Sequence, residues 1–222
     1  MARHGGKGVT RTSDLILWAI RLVLAGETLA ALALGRWQFV FVATTALILT
    51  VAPGRLARRV GLRLPASFLA AIAIFVMATL YLGERFDFYE RLWWWDIALH
   101  LGSALGFGLL GFLLIFMLFE GDRYAAPPWA LGLLSFCVAM TVGLLWEVFE
   151  FAMDSLFSLN MQKSGLVDTM GDLMVNMVGG ALAAVAGVLY LMRRAGGPLG
   201  GLFDLFIAEN RSRFRKRFAR RR

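Results

Sequence analysis

Apolar residues run along this chain in blocks longer and more uniform than the core of a soluble fold requires. Six blocks are expected to form membrane-spanning helices, over residues 14–34, 37–52, 64–82, 92–119, 129–154 and 166–192. Crossing the hydrocarbon layer takes about 20 helical residues; the second block is short but almost free of charge. Local signals set the ends. Pro53-Gly54 closes the second block, Pro65 fits the first turn of the third, Glu120-Gly121-Asp122-Arg123 closes the fourth, and Pro127-Pro128 opens the fifth. Ala31-Leu32-Ala33 resembles a signal-peptide cleavage site, yet Arg21 and Glu27 interrupt the apolar run before it, so the first block is read as a helix. The expected fold is all-α: a polytopic membrane protein with six transmembrane helices in one bundle, spanning residues 13–192 between tails at 1–12 and 193–222. Trp93-Trp94-Trp95 suits a membrane–water interface. Gly102, Gly106, Gly108 and Gly111, with Gly179, Gly180 and Gly187, are the small residues that let membrane helices approach closely.

Composition agrees: 59% of the 222 residues are hydrophobic. The net charge of +8 changes the picture more, because it is unevenly placed. Arg3, Lys7 and Arg11 flank the first span, Arg55, Arg58, Arg59 and Arg63 follow the second, and a basic segment ends the chain. Cytoplasmic flanks of membrane spans carry such an excess. The expectation is a multi-pass protein of the bacterial inner membrane with both termini cytoplasmic, and with the Glu120–Arg123 turn on that side as well. Membrane lipid, not nucleic acid, is the expected partner, and a membrane-protein partner is a further option. Residues 202–218 set Phe203, Phe206, Ile207, Phe214 and Phe218 among Arg211, Arg213, Arg215, Lys216 and Arg217. An interfacial helix of this kind binds anionic inner-leaflet lipid with about 1 kcal/mol per basic residue. A single cysteine, Cys137, excludes an intrachain disulfide and a cysteine metal cluster.

Acids inside apolar spans are the chemical signal. Asp96 and His100 are spaced i, i+4; Glu147, Glu150 and Asp154 i, i+3, i+7; Asp168, Asp172 and Asn176 i, i+4, i+8. Each set lies on one helical face. An intramembrane carboxylate costs about 2.5–3.5 kcal/mol on insertion scales, so each set needs partners. With six spans, all three sets, and Glu27, fall in one layer near the extracytoplasmic face. Asp96, His100, Glu147, Glu150, Asp172 and Asn176 are the candidate ligands of a divalent metal such as Zn, Mn or Mg. Asp154 and Asp168 are candidate catalytic acids that would activate water, with a helix-end role as the alternative for both. Without a metal the same carboxylates would hold protons and form a relay. For the buried polar residues, hydrogen bonding between helices is the competing explanation.

The pattern Asp96-x-x-x-His100, then Glu147 with an acid on the next turn, then Asp168-x-x-x-Asp172-x-x-x-Asn176-x-x-Gly179 resembles the VanZ-like membrane family and the related YjdF-type inner-membrane family. The likeness covers residues 93–190 and is most specific at 168–179. Trp146-Glu147-Val148-Phe149-Glu150 is closer to the YjdF type, since VanZ-like members more often carry Glu-x-x-Gln. The resemblance implies a multi-span bacterial envelope protein; VanZ-like members are associated with glycopeptide resistance. Three functions are consistent with the sequence. One is an envelope or membrane-assembly factor whose polar cluster specifies helix packing. Another is a metal-dependent enzyme acting on a lipid or lipid-linked envelope substrate. The third is a proton or cation carrier.

Overall fold

The computed structural model describes residues 5–119, 126–158, 160–193 and 198–219. Among them every regular element is helical: α1 (Gly5–Ala33), α2 (Trp37–Arg59), α3 (Ala66–Val76) continuing as a π-helix (Met77–Arg85), α4 (Phe88–Arg91), α5 (Trp95–Phe119), α6 (Pro128–Phe157), α7 (Leu166–Arg193) and α8 (Pro198–Ala219). Six helices are long and apolar enough to cross a membrane: Arg11–Ala33, Trp37–Arg59, Ala66–Arg85, Trp95–Phe119, Pro128–Phe157 and Leu166–Met192. They correspond to the six expected spans, and the chain is an all-α polytopic membrane protein. The side chains they leave uncovered are those lipid would cover, among them Leu15, Trp18, Leu22 and Leu29 on α1 and Leu145, Val148 and Phe151 on α6.

Boundaries differ from expectation in three places. Helix α1 starts at Gly5, inside the stretch expected to be a tail; the ladder carries on past Ser13 and Asp14, because no proline stops it. Helix α2 runs through Pro53 to Arg59. The proline removes one ladder hydrogen bond, but Gly54 is buried against Leu69 of α3, where an added Cβ would stand 3.3 Å from Leu69 Cδ2. Arg58 and Arg59 therefore sit in the last helical turn, where cations meet the negative end of the helix dipole. The third span ends in π-helical geometry, a form that recurs at functional sites. The Glu120–Arg123 turn lies outside the described residues.

The chain forms two compact units, residues 1–95 with 204–222, and residues 96–203. In the first, Leu24 and Ala46 are fully buried with Val76 and Tyr81 around them. Arg21, inside a span, is satisfied by Thr50: its guanidinium donates to Thr50 Oγ1 at 3.3 Å and to the Thr50 carbonyl at 2.8 Å. Glu27, expected in the polar layer of the later spans, pairs with Arg85 at 3.2 Å. The C-terminal part of α8 is held by Asn210, fully buried. Its Oδ1 accepts the Arg63 N–H at 2.7 Å, and its Nδ2 donates to the carbonyls of Arg63 at 2.7 Å and Phe206 at 2.9 Å. Phe206 is buried 5.6 Å from the ring of Phe68.

The second unit packs α5, α6 and α7 through small residues. An alanine at Gly108 would put its Cβ 2.5 Å from Ala183 Cβ, and one at Gly179 would stand 2.7 Å from the Leu101 carbonyl. Ser135 Oγ donates to the Gly108 carbonyl at 2.7 Å, an interhelical bond inside the span. Where helices gain nothing from excluding water, such van der Waals contact and hydrogen bonding hold them together. Phe112 is fully buried, stacked on Phe203 at 6.0 Å, with Tyr190 edge-on to Phe203 at 4.7 Å. Phe203 and Phe206 thus pack inside the protein, correcting the expectation that both would insert into lipid: an amphipathic pattern identifies an apolar face without naming its partner. The side chains of Phe214 and Phe218 lie outside the described residues.

Candidate metal centre

The three polar stripes of the second unit meet. His100 on α5, Glu147 and Glu150 on α6, and Asp172 and Asn176 on α7 are all buried, while Asp96 keeps 32% of its side-chain surface exposed. The helical repeat explains the meeting. Asp96 and His100 are one turn apart on α5, and Asp172 and Asn176 one turn apart on α7. Two glycines let the backbones close around them. Gly179 lies against Leu101, next to His100, and Gly143, one turn before Glu147, leaves the space that Asn176 fills; a Cβ there would stand 2.6 Å from Asn176 Nδ2.

His100 is at the centre, and its two ring nitrogens face different groups. Nε2 lies 3.7 Å from Asp96 Oδ1 and 3.8 Å from Asp172 Oδ2. Nδ1 lies 3.8 Å from Glu147 Oε1 and 3.5 Å from Asn176 Nδ2. Asp96, His100 and Asp172 each offer a donor atom within 4.8 Å of the other two. Zinc binds carboxylate oxygen and imidazole nitrogen at about 2.0–2.2 Å, which in a tetrahedron sets donors roughly 3.4 Å apart. The two distances from His100 Nε2 are a few tenths of an ångström wider, and the three donors together lie within 4.8 Å. Both oxygens of Glu147 and Oδ1 of Asn176 are buried without a hydrogen-bond donor. An unpaired ion buried in this way costs several kcal/mol, so Glu147 requires a proton, a donor or a cation beside it.

The other candidates are held differently. Glu150 Oε1 accepts the indole N–H of Trp146 at 2.9 Å. Asp154 uses both oxygens to fasten the α6–α7 connection: Oδ1 accepts the Met161 N–H at 2.5 Å and Oδ2 the Gln162 N–H at 2.7 Å. That matches the helix-end alternative. Asp168 is half-buried in the first turn of α7, one turn ahead of Asp172, and accepts a backbone hydrogen bond from Lys163. Sequence reasoning passed over Gly143; the available signal was a small residue four positions before Glu147 on its polar stripe. It also passed over the Gln162 amide, which donates to Thr169 Oγ1 at 2.6 Å and braces the connection above the site.

Comparison with known proteins bears on the whole arrangement. A Thermotoga maritima protein described as "Uncharacterized protein" is 29% identical over 98 residues, 44% of this chain and 50% of that protein. The chain therefore matches about half the length of that relative. No solved structure matches. The model of the family described as "Predicted membrane protein (DUF2238)" matches residues 15–193, which include the last five spans, most of the first and every residue of the cluster. The chain belongs to this family of predicted membrane proteins.

Proposed function

We propose that this protein is a metal-dependent enzyme of the bacterial inner membrane, in which Asp96, His100 and Asp172 hold one divalent cation that acts on a lipid or lipid-linked envelope substrate. The carrying observation is the buried convergence of these three donors around His100 Nε2, with Asp96 at a partly open edge. Catalytic zinc sites use three protein ligands and leave one position free, whereas structural sites are closed. The mixed carboxylate–imidazole set suits Zn or Mn. Such an ion supplies Lewis acidity and lowers the pKa of a water molecule. Asp168, one turn nearer the open end of α7, is the residue assigned to take the proton; Asp154 is committed to its loop.

Two observations weigh against the alternatives. A cluster that served only to pack helices would hold its donors at hydrogen-bond distance, whereas His100 Nδ1 stands 3.8 Å from Glu147 Oε1 and no donor closes on either oxygen. A carrier needs a polar path onward. Among the described residues, the buried positions along the rest of this unit include Ala104, Gly108, Phe112, Leu113, Ala139 and Ala183, and Ser135 spends its hydroxyl on a carbonyl. The envelope location follows the resemblance to VanZ-like and YjdF-type proteins together with the arginine-rich flanks. The basic end of α8 is assigned to the anionic inner-leaflet surface, with attraction provided by its charges.

Metal analysis of the full chain, purified in detergent after supplementation with Zn or Mn, is the test. The expected result is one ion per chain, lost in His100→Ala and in Asp172→Asn. A wild-type protein that stays metal-free at micromolar free Zn and Mn would overturn the proposal.

A further inference from the structure

We infer that Glu147 is a positioning residue: it accepts the Nδ1–H of His100 and thereby turns Nε2 toward the cation held with Asp96 and Asp172. The inference rests on the metal reading above. The lone pairs of the two imidazole nitrogens point away from different edges of the ring, so a single ion takes only one of them. Asp96 and Asp172 stand on the Nε2 edge at 3.7 and 3.8 Å, and Glu147 stands on the Nδ1 edge at 3.8 Å. With Nε2 coordinating, the ring proton resides on Nδ1. That N–H is buried and needs an acceptor. Glu147, 3% exposed, has no donor at full hydrogen-bond geometry on either oxygen, with the Thr169 hydroxyl its other polar neighbour besides His100. A shift of about 1 Å brings Oε1 from its present distance into the 2.7–2.9 Å range of a charge-assisted bond.

Asn176 completes the arrangement. Its Nδ2 lies 3.5 Å from Nδ1, and its Oδ1 has no donor. The two ends of an amide are close to isosteric, so the reversed orientation would present a second acceptor to the same N–H. The bare backbone of Gly143 leaves the space this side chain occupies. Metal-bound histidines almost always donate their other N–H to a carboxylate or carbonyl, and losing that partner typically costs 10–100-fold in metal affinity. Glu147 and Asn176 thus both serve the Nδ1 edge of the ligand ring, while Asp96 and Asp172 share the ion at its Nε2 edge.

Titration of the full chain in detergent with Co²⁺, whose visible bands report its donor set, separates positioning from ligation. The Glu147→Leu protein is expected to bind one Co²⁺ about 10–100-fold more weakly than wild type, with the same bands at saturation. Glu147→Gln keeps a carbonyl acceptor and is expected to recover part of the loss. Unchanged affinity in Glu147→Leu would overturn the inference, and so would bands altered in the manner of Asp172→Asn, which would make Glu147 a ligand. Should Glu147→Leu fail to fold, Glu147→Gln decides alone: weaker binding with unchanged bands supports positioning, while unchanged affinity or altered bands refute it. A wild-type chain that binds no Co²⁺ removes the metal reading itself, an outcome distinct from any of these.

Discussion

Alanine in place of Gly179 tests how closely α5 and α7 must approach for the site to exist. The new methyl would stand 2.7 Å from the Leu101 carbonyl oxygen, 2.9 Å from Ala104 Cβ and 3.2 Å from the Leu105 nitrogen. Carbon pairs are best separated by about 3.5–4.0 Å, so the contact with Ala104 alone asks the helices to part by at least about 0.6 Å. Two of the three contacts are with backbone, which no rotamer change relieves. Overpacking of this kind costs about 1–3 kcal/mol, against a gain of about 0.5–1 kcal/mol from replacing a helical glycine with alanine. The same separation would carry Asp172 away from His100, whose Nε2–Oδ2 distance is already 3.8 Å. Sites of this type tolerate about 0.5 Å of misplacement, so bound metal should weaken together with stability. Gly102 and Gly106 on α5 provide the controls, because an added Cβ at either meets nothing within 4 Å. In thermal unfolding of the purified protein in one detergent, Gly179→Ala should melt below wild type, and Gly102→Ala and Gly106→Ala should match or exceed it. If Gly179→Ala melts with the controls and retains metal, the close approach of α5 and α7 is not what builds the site.

Further outcomes are expected. His100→Ala and Asp172→Asn should lose the bound ion yet keep the helical circular-dichroism spectrum; collapse of the fold in both would favour a packing role. Asn210→Ala leaves two main-chain groups of Arg63 without their partner, at a cost of about 1–3 kcal/mol, and should expose α8 to limited proteolysis before the spans are cut. Ser135→Ala removes one interhelical hydrogen bond, a change of about 0.6 kcal/mol on average between membrane helices; a loss of several kcal/mol would mean the hydroxyl does more than bond Gly108. With Cys137 replaced by serine, a cysteine at position 163 should react with an impermeant thiol reagent applied to the periplasmic side, and one at position 58 should not; the reverse pattern would overturn the assigned orientation.

Much of the site could be read from periodicity because lipid makes polar residues conspicuous. An acid costs so much in a span that Asp96, Glu147 and Asp172 could hardly be accidental, and the helical repeat placed each on a face with its neighbour. What periodicity does not carry is the partner of each face. It put Asp154 on one face with Glu147 and left catalysis and a helix-end role both open for it; the loop after α6 folds back through Ser158 and Asn160 at positive φ and delivers two backbone N–H groups to it. It also assigned Phe203 and Phe206 to lipid, since an apolar stripe fits lipid and protein equally well. Proline was overweighted at position 53: its local cost is fixed, but the packing of Gly54 on Leu69 that offsets it is tertiary. The π-helical end of the third span had no signal in composition or spacing.

The clasp between Asn210 and Arg63 gives an unequal pattern of mutational tolerance. Asn210 reads the main chain at position 63, taking its N–H and returning a bond to its carbonyl. Any L-residue supplies those two groups, and proline alone lacks the donor. A saturation scan should therefore find position 63 permissive to everything but proline as far as this contact is concerned, and position 210 restricted to asparagine, the side chain that offers a donor and an acceptor in one short planar group. Two residues in direct contact would then show no correlated substitution. A search for paired changes would miss this attachment of α8, even though losing it at one end loosens the helix.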